Sequence, residues 1–137
     1  AFEADTGIAG TLANCLHGSG TSCVEVVAQA VGATGHLSLD DYQPDLLNVD
    51  FLKVDVDGPE LDVLTGARHL LQRDHPVVVV EINRDGQEIM ELLEAVGYDH
   101  FMGMSNEPVR RGEWPANLIA STRTVRIPRV SEASSGE

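Results

Sequence analysis

Basic residues are scarce in this chain. Nine lysines and arginines stand against 22 aspartates and glutamates, a formal charge of −13 at pH 7. Long-range repulsion of that size argues against nucleic acid or an anionic membrane as a general partner. The adjacent pair Arg110–Arg111 could handle one phosphate but reads as solvated surface. No apolar run approaches the roughly 20 residues that a membrane span needs, and the first residues lack the charged-then-apolar pattern of a leader. Cysteine is limited to Cys15 and Cys23, without CxxC spacing and with no further thiol for a metal cage. They read as reduced thiols of a cytoplasmic protein. The five histidines, His17, His36, His69, His75 and His100, show neither HxxxH nor HxH spacing. Packing or solvation suits all five, with His100 the one to test as a base. GxSxG and Walker motifs are absent too, which removes support for the enzymes that depend on them.

What is present is organised around Asn48 to Gly66, NVDFLKVDVDGPELDVLTG. Val49, Phe51, Leu52, Val54 and Val56 form a near-continuous apolar run, the composition of a strand buried on both faces. Lys53, Asp55 and Asp57 are spaced by two, so an extended strand projects them to one face, Asp57 nearest the carboxyl end. A buried strand accepts such a series only where the charges pair, reach solvent or serve a ligand. Pro59 suits the first turn of the helix that follows. Asp57 and Glu60 have capping-box spacing, with Gly58 as the other candidate cap.

The remaining chain, 137 residues in all and 42% hydrophobic, is long enough for one domain with a real core. Ala1–Ala4 reads as the end of a strand. Asp5 or Thr6 can cap a helix with Ile8, Leu12, Cys15 and Leu16 on one stripe, closed by Gly18-Ser19-Gly20. Cys23–Val31 reads as a strand, His36–Leu39 as a short extra one, and Leu46-Leu47 leads into the central strand. Leu61, Leu64, Ala67 and Leu71 predict one helix after the elbow, closed by His75-Pro76. Val77–Ile82 is a second buried strand ending at Glu81 and followed by Asn83. A helix over Gln87–Val96, a strand over His100–Met104 and a last strand over Asn117–Ile127 complete the pattern. Trp114 lies in the loop Ser105–Pro115, as a lid over a substrate or a surface anchor. Residues 1–130 form the expected domain, and Ser131–Glu137 a flexible tail. Strands alternating with helices imply a parallel α/β sheet with right-handed crossovers, in which ligands bind beyond the carboxyl ends of the strands. Glu3, Asp55, Asp57, Glu81 and Asn83 all fall at or just past those ends.

The successive blocks AFEAD, VEVVAQAVGATGHLSL, VDFLKVDVDGPELDVLTGARHLL, PVVVVEIN, GYDHF and ANLIAS resemble the FkbM-type methyltransferase domain. The elbow, Lys53-Val54-Asp55-Val56-Asp57-Gly58-Pro59-Glu60 with Leu64 and Gly66-Ala67 following, carries the most specific part of the likeness. The resemblance implies a Rossmann-like class I methyltransferase sheet. That sheet is mostly parallel with an antiparallel C-terminal strand, carries helices on both faces and binds S-adenosylmethionine. It implies O-methylation of a small hydroxylated molecule such as a sugar or polyketide. By position, Glu3 would hold the ribose hydroxyls of the cofactor, and Gln29 and Ala30 would lie near the adenine. Ala33 stands where an acidic residue is common. The family's first strand and glycine-rich turn would fall before Ala1, so the chain is expected to be N-terminally incomplete. A missing central strand would expose apolar strand edges, for which a partner chain, as in a homo-oligomer, or a swapped segment is an expected cover.

Methyl transfer to a hydroxyl needs an in-line approach and a base. Asp55, Asp57 and Glu81 are the candidate bases, and Lys53 could hold one of them ionised or orient the substrate. The structural alternative pairs Lys53 with Asp55 or Glu81 and leaves Asp57 as a cap. Glu60 fits a first-turn residue favoured by the helix dipole. No metal is expected. Asp55-x-Asp57-Gly58 matches part of a calcium loop, but Lys53 takes its first ligand position and Leu64 its twelfth, leaving paired aspartates on magnesium as the remaining metal option. The competing class is a truncated or degenerate methyltransferase-like α/β domain acting as a binding or assembly module.

Overall fold

The structure, a computed structural model, describes residues 1–20, 27, 29–42 and 48–128. Cys23 and most of the strand expected over Cys23–Val31 lie outside these residues, as do Leu46-Leu47 and the Ser131–Glu137 tail.

Helix α1 spans Thr6–Gly18, and the Asp5 side chain caps it by accepting from the Gly7 and Ile8 N–H groups at 2.8 and 3.0 Å. Its apolar stripe forms as expected, yet only Ala9 is buried, and Ile8 and Leu12 are exposed. Of the extended segment expected at the start, one parallel bridge, Phe2 to Val27, is present. A second parallel bridge joins Val31 to Leu37, where a short strand was expected over His36–Leu39.

The sheet has four strands among the described residues: β1 (Phe51–Val54), β2 (Val77–Glu81), β3 (His100–Met102) and β4 (Asn117–Ser121), in the order β1-β2-β4-β3. β1 runs parallel to β2, and β4 is antiparallel to both of its neighbours. The sheet is therefore mixed, with the C-terminal strand as the antiparallel one. β2 is central, and its Val78 and Val80 are fully buried. β1 corrects the reading of a strand buried on both faces. Among the described residues it is an edge strand, and Phe51 is 58% exposed. The last two strands are also shorter than expected, β3 stopping at Met102 and β4 at Ser121.

The single helix expected after the elbow is two, α2 (Glu60–Thr65) and α3 (Arg68–Asp74). The break has a tertiary cause. Asp40, on the loop that follows Leu39, receives the His69 and Leu70 N–H groups on its two carboxylate oxygens, each at 2.9 Å. It thus caps α3 from 30 residues away in sequence, doing what an N-cap side chain does. The turn between the helices also presses Gly66 against the backbone of Gly32, where an added Cβ would lie 3.0 Å from the Gly32 carbonyl carbon. His75, left-handed at φ 46°, and Pro76 close α3 as the sequence implies.

Helix α4 (Gly86–Ala95) buries Ile89, Met90, Leu92 and Leu93 and packs on α2. Of these, Ile89, Leu92 and Leu93 join Val54, Leu64, Leu71, Val78, Val80, Leu118 and Tyr98 in one core. The Tyr98 hydroxyl donates to the Pro76 carbonyl at 2.7 Å inside it, and burial raises the phenol's pKa. No helix among the described residues is long and apolar enough to cross a membrane.

Candidate functional site

β1 ends at Val54, and the next five residues turn the chain into α2. Asp57 (φ 54°) and Gly58 (φ 126°) are consecutive residues with positive φ, a pair of conformations that surrounding contacts must enforce. The capping box expected between Asp57 and Glu60 does not form. Pro59 occupies the N-cap position of α2 and gives no side-chain cap. Glu60 turns back instead, its Oε1 accepting the Gly58 N–H at 2.8 Å.

Lys53 and Asp55 share a face and pair at 2.5 Å, both partly exposed. The Asp55 carboxyl lies below its usual pKa first because Lys53 bonds to it, then through the neighbouring Glu81 carboxyl and the Lys53 charge, against the opposing effect of burial. Asn83 completes the arrangement: its amide donates to Glu81 Oε2 at 3.0 Å and to Glu60 Oε1 at 2.9 Å. Glu60 is fully buried. Burial is the largest influence on it and opposes ionisation, yet the Asn83 amide, the backbone N–H groups of Glu60 and Gly58, and the Arg84 charge together leave its pKa lowered. It is thus a carboxylate at neutral pH.

Beside the elbow lies a cavity of about 310 Å³ lined by Glu3, Ala4, Ile8, Gln29, Ala30, His36, Asp55 and Asp57 among others. Five residues picked from the sequence, Glu3, Gln29, Ala30, Asp55 and Asp57, meet there although they span more than 50 positions. Backbone pairing delivers Glu3, whose N–H donates to the Val27 carbonyl at 3.0 Å while its Oε1 accepts the Asp5 N–H at 2.9 Å. The loop carrying His36 is pinned to α2, where Asp62 accepts the Thr34 hydroxyl at 3.0 Å and the Asp62 carbonyl accepts the Ala33 N–H at 3.1 Å. Lys53 and Glu81 do not line this cavity. Lys53 borders a larger groove, about 470 Å³, along the free edge of β1 with Ala1, Phe2, Phe51, Leu52 and Val54. That groove is mostly apolar and lacks the gathered carboxylates, so the smaller cavity is the better candidate site. Trp114 is no lid over it. Its ring packs against Gly86 at the start of α4.

No group of three or more metal-ligating side chains exists among the described residues. The sequence reading missed three contributions: His36 on the cavity wall, Arg84 over the elbow with its Nε donating to the Gly58 carbonyl at 2.7 Å, and the burial of Glu60. Only Glu60 left a signal, its place two residues after Gly58 in the elbow block.

The crystal structure of Methyltransferase FkbM from Methylobacillus flagellatus KT is similar in fold, with a TM-score of 0.59 and 20% sequence identity over 87% of this chain and 35% of that one. The chain therefore spans about a third of that relative's length. A comparison with curated proteins finds no match. The model of the methyltransferase FkbM domain matches residues 8–99, about two thirds of the 137, a span that holds the elbow, both parallel strands and α4. On that match the chain belongs to the FkbM methyltransferase domain family.

Proposed function

We propose that this chain is the cofactor-holding part of an S-adenosylmethionine-dependent O-methyltransferase of Rossmann-like, class I type. Its acceptor would be a hydroxyl of a small molecule such as a sugar or polyketide. The observation that carries the reading is the gathering of Glu3, Gln29, Ala30, Asp55 and Asp57 around one cavity beside the elbow that follows β1. Carboxyl ends of parallel strands are where open α/β sheets take ligands.

The donor set suits the cofactor. A carboxylate offers about four acceptor positions, so Glu3 can take both vicinal ribose hydroxyls beside its bond to the Asp5 N–H. The cavity volume lies at the lower end of the range for small-molecule sites. Gln29 and Ala30 would border the adenine. When bound, S-adenosylmethionine supplies an electrophilic methyl group, and this chain's residues must then orient the acceptor hydroxyl and remove its proton. Asp57 is the better base. Among the described residues no hydrogen bond or ion pair occupies its carboxylate, whereas Asp55 is engaged by Lys53 and held less basic. Lys53 then acts by orienting Asp55 and keeping it charged, while Glu81 is held by the Asn83 amide.

Calorimetry of the native protein with S-adenosylhomocysteine tests the reading. Micromolar binding that weakens at least tenfold in Glu3→Ala is expected, and an absence of binding would remove the methyltransferase assignment. In Asp57→Asn, turnover should fall by about 100-fold or more, the scale of a lost general base, with S-adenosylhomocysteine affinity nearly intact. Full turnover in that variant would remove Asp57 as the base.

A further inference from the structure

The buried carboxylate of Glu60 has a task that the cofactor reading does not use. Its Oε1 accepts two donors, the Gly58 N–H at 2.8 Å and the Asn83 amide at 2.9 Å, while its Oε2 is buried with no partner. Gly58 is gripped on its other side as well. Arg84 donates Nε–H to the Gly58 carbonyl at 2.7 Å, and its guanidinium lies over the glycine, 3.6 Å from where a Cβ would stand. Asn83 and Arg84 follow β2 after Ile82, so the exit of β2 holds the exit of β1 twice, directly through Arg84 on the Gly58 carbonyl and indirectly through Asn83 on the carboxylate that accepts the Gly58 N–H. The second Asn83 bond reaches Glu81 Oε2 at 3.0 Å, and an amide nitrogen with two hydrogens can serve both acceptors at once.

We infer that Glu60 is a positioning residue, a lock that enforces the positive φ of Asp57 and Gly58 and thereby fixes the elbow as one wall of the candidate site. Asp55, Val56, Asp57 and Pro59 all line the cavity. Consecutive positive-φ residues relax unless their surroundings over-determine them, and the contacts that do so here converge on Gly58. The one-sided use of the carboxylate sharpens the inference. An amide could offer the same oxygen to the same two donors without the burden of a buried charge, so glutamine should keep the lock and alanine should open it. That the fixed wall faces a cofactor rests on the methyltransferase reading; the lock itself does not.

The native protein is compared with Glu60→Gln and Glu60→Ala by two readouts. One is the backbone amide resonance of Gly58 and the side-chain amide resonances of Asn83. The other is affinity for S-adenosylhomocysteine. In Glu60→Ala the Gly58 and Asn83 signals should leave their native positions and affinity should fall at least tenfold, while Glu60→Gln should stay within about threefold of the wild type with Asn83 in place. The wild-type Gly58 amide should also shift with pH at acid values as Glu60 protonates, a step absent from Glu60→Gln. Native resonances and native affinity in Glu60→Ala would overturn the lock. If alanine prevents folding, glutamine decides: restored folding and Asn83 signals uphold the lock, and damage equal to alanine's overturns it. If the wild type binds no S-adenosylhomocysteine, the methyltransferase reading fails and the resonances alone judge Glu60.

Discussion

Asp74 ties two segments together at a single carboxylate, accepting the Val49 N–H at 3.0 Å and two bonds from Arg73 at 2.7 and 2.6 Å. Chiefly through Arg73, with burial opposing and the Val49 N–H assisting, its pKa is lowered from 3.8 to about 2. A carboxylate depressed on folding adds stability that is present above its unfolded pKa and disappears as pH falls through the folded one. Asp74 should therefore contribute at pH 5 and above and lose that contribution between about pH 4 and 2. Denaturant melts across this range should show Asp74→Asn about 1 kcal/mol less stable than the wild type at pH 7, with the gap closing toward pH 2. A gap that persists at pH 2 would mean that its origin is not the charge. Other single residues were only partly legible. The spacing of Lys53, Asp55 and Asp57 announced charges at a strand end, and the Lys53–Asp55 pair is the structural alternative weighed for it. The left-handed Asp57 and the buried Glu60 were not legible, because both depend on Asn83 and Arg84, more than 20 positions away.

Secondary-structure elements followed the apolar periodicity where local forces decide. α1 starts at its Asp5 cap, α3 stops at His75-Pro76, and α4 buries the stripe that its spacing implies. They departed from it where a distant partner intervenes, as when Asp40 caps α3 and splits one helix into two. The start of α4 offers a direct test of such packing. A Cβ on Gly86 would stand 2.7 to 2.9 Å from three Trp114 ring atoms, so the ring must move. Gly86→Ala should cost about 1–3 kcal/mol, the usual scale of overpacking, and should change the emission of the chain's single tryptophan. A variant with native emission and native melting would show that the loop around Trp114 yields freely.

At the scale of the whole molecule, ligand binding and folding are linked, since whatever binds only the folded state stabilises it. S-adenosylhomocysteine at 100 times its dissociation constant should add about 2.7 kcal/mol, a rise of several degrees in melting temperature. The same addition to Glu3→Ala at the same concentration should give markedly less. An equal shift in both would place the ligand elsewhere than the cavity that Glu3 lines. The exposed Phe51 and the apolar groove along β1 belong to this scale too, for the burial of a strand depends on which elements pack beside it.

The sequence by itself determined the alternation of strands and helices, the acidic elbow after β1 and the family likeness, because periodicity, caps and turn residues act over a few positions. Tertiary structure alone decided that Glu3, Gln29 and Ala30 share a cavity with Asp55 and Asp57, that Glu60 is buried and bonded by Asn83, and that Arg84 holds the Gly58 carbonyl. The physical reason is one of range. A hydrogen bond between residues far apart in sequence leaves no periodic trace along the chain, and it comes into being only when parallel strands bring their carboxyl ends side by side.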